Sequence, residues 1–77
     1  MILLRVKEVA NQKGISQRQL VLRSGLDIRI VQRVMRNPHA NITLATLDRL
    51  AQALGVDASE LIVSVPDDSN NTDEKKR

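Results

Sequence analysis

Five arginines fall between positions 16 and 36. They are Arg18, Arg23, Arg29, Arg33 and Arg36, and they stand against one carboxylate, Asp27, for a local charge of +4. A guanidinium is always charged and presents its donors as a flat fork. That fork matches phosphate oxygens and the O6/N7 edge of guanine. Arg29, Gln32, Arg33 and Arg36 are spaced i, i+3, i+4, i+7, which puts them on one face of a helix. A solvated helix face would carry the same residues, since arginine is a good helix former. Charge alone does not separate the two readings. Position helps: residues 1–66 carry +4 in all, whereas Asp67, Asp68, Asp73 and Glu74 outweigh Lys75, Lys76 and Arg77 beyond them. The positive charge is therefore concentrated on one segment, as a phosphate-binding footprint would be.

Other chemistries lack their residues. There is no cysteine, which excludes disulfides, thiolate nucleophiles and cysteine-bearing zinc fingers, and fits a reducing cytosol. His39 is the single histidine, and no carboxylates stand at ligand spacing around it, so neither a metal site nor a cofactor is expected. It is more simply a loop residue than a phosphate ligand. No nucleophile or paired carboxylates are placed for catalysis, so an enzyme is not expected. There is no aromatic residue on which to stack unpaired bases, which favours duplex DNA over single strands or RNA. No apolar run approaches the ~20 residues of a membrane span. Charge at Arg5 interrupts the start too early for a signal peptide. A cytoplasmic location is expected.

The elements that must position the arginines can be traced from caps and periodicity. Gly14, Gly25 and Gly55 each follow a helical apolar pattern and mark helix ends. A first helix is predicted over about 3–13, with Leu3, Val6, Val9 and Ala10 inward. Ser16 and Gln19 form a capping box for a second, over about 17–24, with Leu20, Val21 and Ser24 inward. Asp27 caps a third that ends near Arg36. Its apolar stripe is Ile30, Val31, Val34 and Met35, opposite the arginine face. Asn37-Pro38 stops it, and 37–42 is a loop. Thr43 caps a fourth helix, with Leu44, Leu47, Leu50, Ala51 and Leu54 inward. Asp57 and Glu60 form a capping box for a short fifth helix through about Ile62. No strand pattern or internal repeat is visible. The chain reads as one domain over 1–63, followed by a polar tail over 64–77 that is expected to be disordered. At 77 residues the core is small, and pairing with a second copy would add to its stability.

The order Gly14-Ile15-Ser16-Gln17, Leu20, Gly25-Leu26, Val31, Val34, then Thr46-Leu47, Leu50-Ala51 and Ala53-Leu54-Gly55-Val56 resembles the Cro/phage-repressor (xenobiotic-response-element) helix-turn-helix family. The likeness covers about residues 3–63. It implies an all-α, compact, five-helix lambda-repressor-like domain with its helix-turn-helix at about 17–36. Such domains bind operator DNA, often as symmetric dimers, and most regulate transcription in bacteria and phages. By position, the resemblance implies base contacts from Ile28, Arg29, Gln32 and Arg33. It implies backbone contacts from Gln17, Arg18, Asp27, Arg36, Asn37, His39 and Asn41. Arg29 and Arg33 could grip guanine, Gln32 adenine, and Ile28 a thymine methyl.

The sequence departs from the family pattern in places. Val21 stands where a small residue is usual, and Met35-Arg36-Asn37 replaces a common Glu-Asn-Gly. Asp27 brings negative charge near phosphate. Leu22 and Ile28 are apolar where polar residues are usual. Ile28 is as well explained by an ordinary surface position as by a base contact. Exposed apolar residues on a binding face also suit a protein partner, as in an antitoxin or adaptor built on the same scaffold. Leu61, Ile62, Val63 and Val65 are either the edge of the core or a dimer patch. Lys75, Lys76 and Arg77 are most simply solvated.

Overall fold

Each turn of the backbone has a local cause. The computed structural model of the chain describes residues 1–66. Four α-helices form: α1 (Val6–Lys13), α2 (Gln17–Ser24), α3 (Ile28–Arg36) and α4 (Leu44–Leu54). Ser16 Oγ accepts from Gln19 N at 3.2 Å, and Gln19 Oε1 accepts from Ser16 N at 3.0 Å, which completes the expected capping box of α2. Asp27 and Thr43 cap α3 and α4 through their side-chain oxygens. Gly25 closes α2 at φ 71°, a left-handed conformation that costs a side-chain-bearing residue strain. That reversal turns the chain from α2 towards α3.

Both ends of the domain differ from the sequence expectation. Residues 2–4 do not begin the first helix. They form a strand, β1 (Ile2–Leu4), that pairs antiparallel with β2 (Ile62–Ser64) in the register Ile2↔Ser64, Leu3↔Val63, Leu4↔Ile62. Leu4 is therefore the core residue, and Leu3 is half-buried. The expected fifth helix is one turn of 3₁₀ helix, Ala58–Leu61, and Ile62 is already extended. The β-branched run Ile62-Val63 and then Val65 suits a strand better than a helix. Asp57 caps this turn at Ser59 N, one residue short of the expected partner Glu60. The fold is thus mostly helical with a small two-stranded sheet, where five helices were expected. Arg5 N donates to the Leu61 carbonyl at 2.7 Å and Leu4 N to the Pro38 carbonyl at 2.8 Å, so the sheet is tied to the helical body. Val65 N bonds the Met1 carbonyl. The tail expected from residue 64 does not start there, because Ser64 closes β2 and Val65 bonds Met1; the rest of it, from 67 onward, lies outside the described residues.

Leu20, Leu50, Leu61, Val6 and Val31 are fully enclosed, and Val9, Ala10, Ile15, Val34, Ala51 and Leu54 pack around them. The inward assignments need correction. Leu44 is 83% exposed, and Val21, Ile30 and Met35 are only half-buried. Leu44 follows the Thr43 cap directly, in the first turn of α4. Helical periodicity gives a residue's direction but not where its packing partner ends. Among the described residues no helix is long and apolar enough to cross a membrane.

Candidate nucleic-acid interface

Burial of Val31 and Val34 fixes the rotation of α3. The opposite face then turns outward, and Arg29, Gln32, Arg33, Arg36 and Asn37 line one shallow depression of about 310 Å³. This is the cluster expected from the i, i+3, i+4, i+7 spacing. Ile28, at the first turn of α3, is 51% exposed. Gln17 is half-buried at the start of α2, with Arg18 exposed beside it.

Two of the arginines are already held by the chain itself. Asp27 Oδ1 accepts from Arg29 N at 2.8 Å and from Arg29 Nε at 3.4 Å. The backbone N–H of Arg29, and then its side chain, hold the Asp27 carboxyl below the usual carboxylate range. Arg33 Nη2 donates to the Asn41 carbonyl at 3.3 Å, which draws the 37–42 loop towards α3. Asn37 Oδ1 accepts from His39 N at 2.9 Å and shapes the turn that follows the helix.

Not every expected residue joins this face. His39 borders a different depression, an apolar one of about 270 Å³ that also includes Ile2, Leu4, Leu44, Leu47 and Ile62. Arg23, part of the cationic segment, lies in a cleft between α2 and α4 with Asp48, Arg49 and Gln52. The +4 segment is therefore divided between two depressions that share no residue. Sequence reasoning missed the Asp27–Arg29 contact, although an N-cap carboxylate two residues ahead of an arginine was a usable signal. It also missed the apolar depression, whose walls come from β1, the 37–42 loop, α4 and β2. No local pattern joins those pieces.

A helix-turn-helix family model matches residues 6–61. Among solved structures, the chain is similar to a "putative DNA-binding protein" from Bacteroides fragilis, at 30% identity and a TM-score of 0.71, over 82% of this chain and 100% of that one. It is also similar to the restriction-modification controller protein C.AhdI from Aeromonas hydrophila. There the identity is 36% and the TM-score 0.65, over 73% of this chain and 83% of that one. No curated protein sequence matches.

Proposed function

The chain belongs to the helix-turn-helix family of DNA-binding regulators, and from that premise we propose that it reads a specific duplex sequence by laying α3 in the major groove. The observation that carries this reading is the single outward depression formed by Arg29, Gln32, Arg33, Arg36 and Asn37. Arg29 and Arg33 take guanine O6 and N7, Gln32 takes adenine, and Ile28 meets a thymine methyl. Gln17, Arg18, Arg36, Asn37 and Asn41 meet phosphates and set the register, with His39 at the margin. The likeness to a restriction-modification controller supports a regulatory role exercised at an operator.

A second copy would complete the reader. Ile2, at 63% exposed, and Leu44 form an apolar rim that a two-fold partner could cover. Leu22 favours a further reading: it is 75% exposed on α2 and stands outside the α3 depression. An antitoxin or adaptor would use that residue to grip a protein.

Amide-resolved NMR titration with mixed-sequence duplex tests the main reading. Shifts confined to Gln17, Arg18, residues 27–36 and the 37–41 loop, weakening as salt rises, are the expected result. No shifts at low salt would sink DNA binding and leave the Leu22 surface as the place to look.

A further inference from the structure

We infer that Asp27 is a positioning residue: it sets the orientation of the Arg29 fork and so restricts it to one guanine. This rests on the proposed reading of DNA by α3. One carboxylate oxygen serves two donors of the same residue, the backbone N–H that needs a cap and the Nε that starts the guanidinium plane. Holding Nε restricts where that plane can swing, because the guanidinium is flat and rigid. The contact engages Nε and leaves the two terminal amino groups for guanine O6 and N7.

This side chain is 86% exposed, and among the described residues it bonds to Asp27. Arg33 presents a contrast. Its bond to the Asn41 carbonyl uses a terminal amino group, one of the two that a bidentate contact needs. The tether of Arg33 therefore occupies one hydrogen of the edge that would read guanine, whereas the tether of Arg29 at Nε leaves both terminal amino groups free.

The contact is weak in open solvent, as exposed ion pairs are. Docking against DNA excludes water and strengthens it. The same negative charge opposes phosphate, so an Arg29 swung onto the backbone, or a domain docked out of register, meets repulsion. Asp27 therefore favours specificity over affinity. Two observations support this role against a backbone contact: its Oδ1 is engaged within the chain, and its carboxyl stays ionised beneath the usual range because Arg29 donates to it.

The experiment is selection from a random duplex library with the full chain, followed by measured affinities for single-base variants of the selected site. Arg29→Ala identifies the base pair that Arg29 reads. Asp27→Ser keeps a good helix cap while its shorter side chain gives up the Arg29 Nε contact, and its thermal midpoint confirms the fold. We expect Asp27→Ser to lower the guanine preference at that one base pair by about tenfold, with the other positions held within about twofold. Adding it to Arg29→Ala should change base preference no further. An equal loss at every position would make Asp27 a cap only. A uniform gain would make it a source of general repulsion only, and no change would remove it from recognition. Any of these overturns the inference. Failure of the wild-type chain to enrich any sequence is a separate result, which overturns the DNA reading and this inference with it.

Discussion

At the scale of single residues, Arg33 and Arg29 share a helix face but begin from different states. Arg33 starts tethered to the Asn41 carbonyl through Nη2, whereas Arg29 is held through Nε. Arg33→Ala should still cost about 1–3 kcal/mol on the selected site and relax preference at one base pair, read by affinities for single-base variants. Equal losses on all sequences would make Arg33 a phosphate contact. The acidic caps set a pH dependence. Asp27 and Asp57 are both held below the ordinary aspartate value, Asp27 chiefly by the Arg29 backbone N–H and Asp57 chiefly by the Ser59 hydroxyl. A carboxyl whose folded value is depressed contributes stability that is fully present above its unfolded value, and loses it as pH falls through the folded one. Thermal midpoints should therefore be flat on this account near neutrality and fall once the pH drops below about 4. Asp57→Asn should flatten that fall. An unchanged acid limb in the variant would remove Asp57 as a contributor.

At the scale of elements, the caps decide where α3, the proposed recognition helix, starts. Ser16→Ala removes the oxygen that Gln19 N uses and should cost about 1 kcal/mol in urea denaturation, with affinity for DNA reduced only in proportion to unfolding. Gly25→Ala should cost about 1–2 kcal/mol. The added Cβ would sit 3.6 Å from Arg49 Nη1, an ordinary contact, so the cost comes from the backbone at φ 71° and not from crowding. A stable Gly25→Ala would mean the α2–α3 turn relaxes more readily than its geometry implies. These same elements were legible in the sequence because their causes are local: a Ser-x-x-Gln box, a capping aspartate, a glycine after an apolar stripe. The β1–β2 sheet was not. Its partners lie about sixty residues apart, and three residues of Ile-Leu-Leu satisfy a helical stripe as readily as a strand. The arginine face of α3 was readable because burial of Val31 and Val34 follows from periodicity. The departure of Arg23 from it was not, because that depends on how α2 lies against α4.

At the scale of the whole molecule, charge and apolar surface together predict how binding responds to salt. Arg18 and Arg36 are the cationic phosphate contacts proposed for each protomer, with Arg29 and Arg33 on bases and Arg23 in the cleft beside Arg49. Each neutralised phosphate contributes about −0.9 to the slope of log K against log salt. One protomer should thus show a slope near −2, and a two-fold pair on a palindromic site near −4. The pairing proposed through Ile2 and Leu44 is separable from DNA contact, because these residues line the apolar depression and not the α3 face. Leu44→Glu places a charge on that rim at a position already 83% exposed, so the monomer should fold normally. Light scattering should then find wild-type dimers and Leu44→Glu monomers. On a palindrome with half-sites about 34 Å apart, the wild-type slope should be roughly twice the variant's. On a single half-site the two proteins should agree. A wild-type monomer with the variant's slope on the palindrome would exclude this pairing and leave each domain reading its half-site alone.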